Sequence, residues 1–305
     1  MGQQTEGRRA SGYVKAIASP VLFGFIALFT TTLYDAGATG TEIVFWRLLT
    51  ATFFAAIYAR WRGVSLRVTR GQLPWLLLLS VLYAGGIIFL CLGWGTDSSA
   101  GLVSTIYHAY PLMVMVLAFV FAGQRPTLVK IAAVACAMAG VLLILAVSGG
   151  GGGWEYTVGG VALPLMSALC YAVYSLLLEH GPVKEIPTPT FFFYGCVAGV
   201  LLCLPFTLAA PTHMELEPVT VSLAFLLGLG CTVLPYLFYI SATRTVGATS
   251  AALLSYLEYP VTILLLALVA AEVPTLPELA GSAFIVAGGV LTVLPERAER
   301  PERPR

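Results

Sequence analysis

Two pentapeptides carry most of the chemistry in this chain. Tyr107–Pro111 reads YHAYP and Tyr256–Pro260 reads YLEYP, 149 residues apart. Each places a titratable group (His108, Glu258) between two tyrosines and just ahead of a proline, inside a long apolar run. A carboxylate or imidazole at mid-depth in hydrocarbon is costly and marks a functional site by default. Proline has no N–H, so Pro111 frees the Tyr107 carbonyl and Pro260 the Tyr256 carbonyl. Such breaks are tolerated in a membrane where protein or cavity water satisfies them. With helix nine starting near Gly247, Glu258 lies about 16 Å along it at 1.5 Å per residue. That is near the middle of a hydrocarbon core of about 30 Å. Tyr107 and Tyr110 share a helix face, as do Tyr256 and Tyr259. Four tyrosines, an imidazole and a carboxylate suit an amphipathic organic solute. Helix packing and neutral, hydrogen-bonded structural roles are the alternatives. Arg47 is the one basic residue well inside a span. Two roles fit it: binding a substrate carboxylate or pairing across a gate, with Glu258 as a long-range partner, or structural pairing with backbone carbonyls.

The elements that position these residues follow from composition. Of 305 residues 58% are hydrophobic and 10% charged; mean hydropathy is +0.89. A water-facing surface needs about 25% charged residues, so an all-α polytopic membrane protein is expected. The net charge of +1 offers no basic face for nucleic acid. The six cysteines (Cys91, Cys136, Cys170, Cys196, Cys203, Cys231) fall in apolar segments without CxxC pairs and read as small hydrophobes. His108, His180 and His213 lack metal-ligand spacing. No cofactor and no metal are expected.

A spanning helix needs roughly 20 apolar residues. Ten are expected, near 14–34, 41–60, 72–95, 98–122, 127–147, 156–178, 189–210, 219–242, 247–271 and 277–295. Arg8, Arg9, Lys15 and the small Ala36-Gly37-Ala38 also fit a cleavable signal, but Ile17–Leu33 continues the pattern of the rest and reads as a retained helix. With the N-terminus cytoplasmic, 15 of the 16 basic residues fall on inner segments, Arg47 being the other. Both termini are then cytoplasmic. Outer segments carry Asp35, Asp97, Glu155, Glu215, Glu217 and Glu278.

The sequence repeats beyond the pentapeptides. FAGQRPTLVKIAAVACAMAGVLL parallels VAAEVPTLPELAGSAFIVAGGVL, with Gln124 opposite Glu272 and Ala139-Gly140 opposite Ala287-Gly288; Pro20 parallels Pro164. Five helices per half is an odd number, so the second half enters from the opposite side, an inverted-topology repeat. The expected organisation is a cytoplasmic tail (1–13), a first five-helix repeat (14–148), a Gly-rich outer linker (149–155), a second repeat (156–295) and a charged cytoplasmic tail (296–305).

On these residues, with FWR (Phe45–Arg47) in helix two, the chain resembles the EamA-like family of the drug/metabolite transporter superfamily. Gln124 and Ala271 depart from the family's Gly-Glu pattern. The resemblance implies ten helices as two inverted repeats around a central cavity, in a bacterial inner membrane. It also implies export of an amino acid, another metabolite or a drug.

No GxxxxGK[ST] loop is present, so a gradient or exchange would supply the energy, with proton coupling through Glu258 and His108. The leading expectation is a secondary transporter exporting a small organic metabolite, an amino acid or an aromatic or amphipathic solute, by alternating access. The rivals are an exporter of drugs or lipophilic cations, and an exchanger of sugar phosphates or nucleotide sugars. The latter needs several converging cations, and only Arg47 and Arg244 are on offer. From another class, a membrane-embedded enzyme would rest on Ser104 and His108, four residues apart. Expected partners are the solute, protons, the bilayer and a second copy of the chain.

Softer signals are the polar end of helix one (Thr30, Thr31, Thr32, Tyr34), the pairs Tyr171/Tyr174 and Tyr236/Tyr239, and interfacial anchors at Trp46 and Trp94. Ala132, Cys136 and Gly140 recur every four residues, a packing stripe.

Overall fold

The computed structural model describes residues 2–94, 96, 103, 106–124, 127–148, 157–180, 182–209, 218–269 and 275–293. Every regular element among them is helical: α1 (Gly2–Phe23), α2 (Phe25–Asp35), α3 (Gly40–Trp61), α4 (Leu73–Trp94), α5 (Tyr110–Ala122), α6 (Leu128–Ser148), α7 (Val158–His180), α8 (Thr188–Ala209), α9 (Pro218–Gly228), α10 (Leu234–Val246), α11 (Ala248–Leu254), α12 (Glu258–Val269) and α13 (Leu276–Val293). A π-helical turn, Leu229–Val233, joins α9 to α10, and a 3-10 turn, Ser255–Leu257, joins α11 to α12. Among the described residues seven helices are long and apolar enough to cross a membrane, and Tyr110–Ala122, Leu128–Leu143 and Leu279–Leu291 are shorter apolar helices. The outer surface carries large apolar side chains such as Phe53, Ile57, Leu77, Val81, Leu201 and Leu268, while Ser19, Ser80, Ser167, Ser175 and Thr243 are buried. Water would penalise so much exposed hydrocarbon; a bilayer welcomes it. This is a polytopic membrane protein.

Three details differ from expectation. The first helix begins at Gly2 rather than near 14, and Gly24 interrupts it. The early turns are held because Gly12 has no side chain where a Cβ would meet Val246 and Thr245. Lys15 Nζ also donates to Ser241 Oγ at 2.9 Å. The eighth span runs on to Val246. The close-packed stripe of α6 is Ala133–Ala137–Gly140; Ala132 is exposed, because a straight helix turns 3.6 residues, not four. Ser104, Asp97, Ala271, Glu272, the Gly149–Gly153 run and the charged tail lie outside the described residues, as do the side chains of Thr31, Tyr34, Asp35, Trp94 and Glu278.

The most extensive helix pairings are α6 with α13, α4 with α7, α3 with α8, and α1 with α10. At α6–α13 the backbones nearly touch: a Cβ on Gly140 would collide with the Gly281 carbonyl and Ile285, and one on Gly288 would lie 2.8 Å from the Ala133 carbonyl and 3.2 Å from Ala137.

Candidate functional site

Both proline breaks form as local turns. In the fourth segment α5 begins at Tyr110 with Pro111 in its first turn, after a non-helical step at His108–Ala109. Proline suits a first turn because its missing N–H has no partner there anyway. In the ninth, the break is absorbed by the 3-10 turn, where the Glu258 N–H reaches the Ser255 and Tyr256 carbonyls. The Tyr256 carbonyl is therefore not the free acceptor expected. The two breaks are joined side to side instead. The Tyr256 hydroxyl donates to the His108 carbonyl at 2.6 Å, with Met138 Sδ at 2.9 Å. Tyr256 is 1% exposed, so it packs rather than lining an open space.

The other tyrosines divide. Tyr107 and Tyr110 do share a face, with ring centroids 5.6 Å apart. Tyr110 is buried, with its hydroxyl 3.5 Å from the Ala252 carbonyl. Tyr259 goes the other way: it lies against the His108 ring at 4.5 Å, and its buried hydroxyl has no partner among the described residues. From Tyr110 a chain of rings runs through Tyr171 (4.9 Å), then Tyr174 and Tyr239 (5.8 and 5.5 Å from Tyr171), to Tyr83 and Tyr236, which meet edge-on at 4.9 Å. Ser175 and the Tyr239 hydroxyl share a 2.8 Å hydrogen bond. Sequence reasoning singled out five of these six tyrosines, through the pairs Tyr107/Tyr110, Tyr171/Tyr174 and Tyr236/Tyr239, but missed Tyr83, which has no periodic mate.

Arg47 is half-buried on α3 and reaches the π turn: Nε donates to Thr232 Oγ1 at 2.6 Å and Nη2 lies 3.4 Å from the Cys231 carbonyl. Both groups that meet the guanidinium, Thr232 and the Cys231 carbonyl, belong to this π turn. Thr232 Oγ1 donates back to the Leu227 carbonyl at 2.9 Å, and Gly228 lets α9 press onto Thr50 and the Arg47 carbonyl. Glu42 is not Arg47's partner. It closes the start of its own helix in a capping box, accepting from the Thr39 N–H at 2.8 Å and the Thr39 hydroxyl at 2.9 Å.

Glu258 is half-buried at the start of α12. Among the described residues no ion pair joins it to Arg47 within 4.0 Å, yet the two charges lie within electrostatic reach of each other. Tyr107 and Tyr236 each feel both. Arg47 and Glu258, opposite charges on α3 and α12, thus act on the same two tyrosines.

Arg244 does not join them. It donates to the carbonyls of Ile186 (2.8 Å) and Val183 (3.2 Å) and to Thr188 Oγ1 (3.1 Å), and lies over the Phe191 ring. Trp46 packs with Leu33, Ile43 and Leu227. A cluster that spacing along the chain does not reveal sits where α5, α7 and α11 end or begin: Gln124, Glu179 and His180 against the Ala248 N–H.

The sequence profile of the EamA-like transporter family matches the chain twice, over residues 10–146 and 158–294. Two Bacillus subtilis (strain 168) proteins are similar along most of their length. The uncharacterized transporter YdfC is 28% identical over 262 residues, covering 85% of this chain and 83% of its own. The uncharacterized transporter YxxF is 24% identical over 296 residues, covering 94% and 91%. A crystal structure 17% identical in sequence superposes with a TM-score of 0.79 over 93% of this chain and 98% of that one, so the fold is shared. The chain belongs to the EamA-like transporter family, within the drug/metabolite transporter superfamily.

Proposed function

We propose that this membrane transporter exports a small zwitterionic or amphipathic organic solute, of the amino-acid or aromatic-metabolite kind, by alternating access between two inverted five-helix repeats. The observation that carries the solute class is that Arg47 and Glu258 lie within electrostatic reach of each other and of Tyr107 and Tyr236, with no ion pair between them among the described residues. A guanidinium recognises a carboxylate, a carboxylate recognises an amine, and tyrosines receive an apolar or aromatic body. A lipophilic cation would use Glu258 alone and leave Arg47 without a role. A sugar phosphate needs more cations than Arg47, because Arg244 is committed to the 183–188 segment.

Reciprocal packing supports the inverted repeat. Shifting by the 148 residues that separate Gln124 from Glu272 turns Ala133, Ala137 and Gly140 into Gly281, Ile285 and Gly288. Gly140 meets Gly281 and Ile285; Gly288 meets Ala133 and Ala137. A two-fold relation requires this exchange of partners, and because the partners run in opposite directions along the two helices, the axis lies across them. Likewise α1 packs on α10 as α7 packs on α4. The ten expected spans and the repeat limits near 14–148 and 156–295, with cytoplasmic termini, are part of the same proposal. The rings that close the space between α4, α7, α8 and α10 lie toward the cytoplasmic side in this topology.

The test is uptake by purified protein in liposomes, with imposed pH gradients. Aromatic and aliphatic amino acids, lipophilic cations and sugar phosphates are the panel. Saturable amino-acid movement that falls at least about tenfold in Arg47→Ala is expected, the scale of a lost charged contact. Glu258→Gln should flatten its pH dependence. Equal transport by Glu258→Gln and wild type across pH would sink proton coupling through Glu258; cation movement untouched by Arg47→Ala would replace the solute class.

A further inference from the structure

One carboxylate ties three helix ends together. Glu179, in the last turn of α7, accepts from the Ala248 N–H through Oε2 at 2.6 Å and from Gln124 Nε2 through Oε1 at 3.1 Å. Gln124 Nε2 also lies 3.1 Å from His180 Nε2. The other ring nitrogen, Nδ1, lies 3.4 Å from the Leu176 carbonyl. Gly247 (φ 94°) is what lets the carboxylate in: a Cβ there would stand 3.3 Å from Glu179 Oε1, on a backbone that side chains avoid.

We propose that Glu179 is the latch of the mouth at which α7 ends, holding it shut by binding the start of α11 and the end of α5 at once. This rests on the alternating-access reading above. Three observations point to a gate rather than a static cap. The contact spans 69 residues to Ala248 and 55 to Gln124, whereas Glu42 caps its own helix. It adjoins the part of the core where Leu178, Val183, Ile186 and Phe191 are buried, so parting these ends would uncover that part of the core. And it sits at the rim: the Glu179 side chain is 20% exposed and that of His180 39%. Water can therefore replace each partner when the ends separate, and no charge is stranded in an apolar interior. A buried carboxylate could not be released so cheaply.

Hydrogen–deuterium exchange of the full chain in nanodiscs, without substrate, tests the latch in wild type, Glu179→Ala and Gln124→Ala. Freeing the latch should speed exchange at 174–180 and 242–254 by about tenfold. It should also slow it at the opposite ends, 40–47 and 88–92, as the population shifts to the other state. Faster exchange confined to the few amides at Ala248 would make Glu179 a local cap and overturn the proposal. Should Glu179→Ala not fold, Gln124→Ala decides: it strips one oxygen of its partner and leaves the cap, and an unchanged exchange pattern overturns the latch. A wrong solute class shows as absent uptake by wild type and leaves this readout intact.

Discussion

The Tyr256 hydroxyl donates to the His108 carbonyl across 2.6 Å, joining the interrupted turn before α12 to the one before α5. The bond explains how two breaks can persist in a membrane interior: the carbonyl exposed by one is satisfied by a side chain from the other. Tyr256→Phe removes that donor. The expected loss is about 0.5–1.5 kcal/mol, the net worth of one hydrogen bond, read as a lower unfolding midpoint in detergent. An unchanged midpoint would mean that water takes the hydroxyl's place.

Arg47 is held by Thr232 and the Cys231 carbonyl, and its planar fork serves both while keeping further N–H groups free. A lysine ammonium is a compact point charge on a flexible stem and does not match that geometry. Arg47→Lys should keep part of the transport activity, with a raised KM, and Thr232→Val should raise KM by about threefold by loosening the arginine, at most about 1 kcal/mol. Equal KM values in all three proteins would remove Arg47 from solute recognition.

The α6–α13 contact leaves no room for a side chain at Gly140 or Gly288. Gly140→Leu and Gly288→Leu should each destabilise by about 1–3 kcal/mol or more, the range for overpacking. The proposed repeat makes the two glycines equivalent, so the two losses should be similar. A large inequality in thermal unfolding would argue against that equivalence.

Thr39 and Glu42 close the start of α3 reciprocally. Thr39→Ala should cost about 1 kcal/mol and leave solute recognition unchanged. A changed substrate preference in that variant would assign Glu42 to the site after all.

What was legible in the sequence follows from what a bilayer forbids. Long apolar runs had to be helices, so segments such as Gly40–Trp61 and Thr188–Ala209 emerged within a residue or two. Arg47 and Glu258 stood out because charge is rare in such runs. Glu179 did not, because a glutamate at a helix end looks like any interfacial charge; only the fold brings Gln124 and Ala248 to it. Thr232 was silent for a similar reason: one sequence does not say where an arginine reaches, nor that α9 and α10 meet through a π turn. Proline spacing located both breaks correctly, but which carbonyl finds which donor depends on neighbours far along the chain.

The mutual fit of Gly140 with Gly281 and of Gly288 with Ala133 has an evolutionary consequence. A surface that accepts its own copy, turned over, is what a half-length ancestor needs to assemble with an oppositely inserted sibling. In such an ancestor every substitution would strike the seam twice, and few would survive. Once the two copies are fused into one gene, each substitution strikes once and can be answered by its opposite number. Under the proposed repeat, Ala133 against Gly281 and Ala137 against Ile285 are differences of the kind this freedom permits.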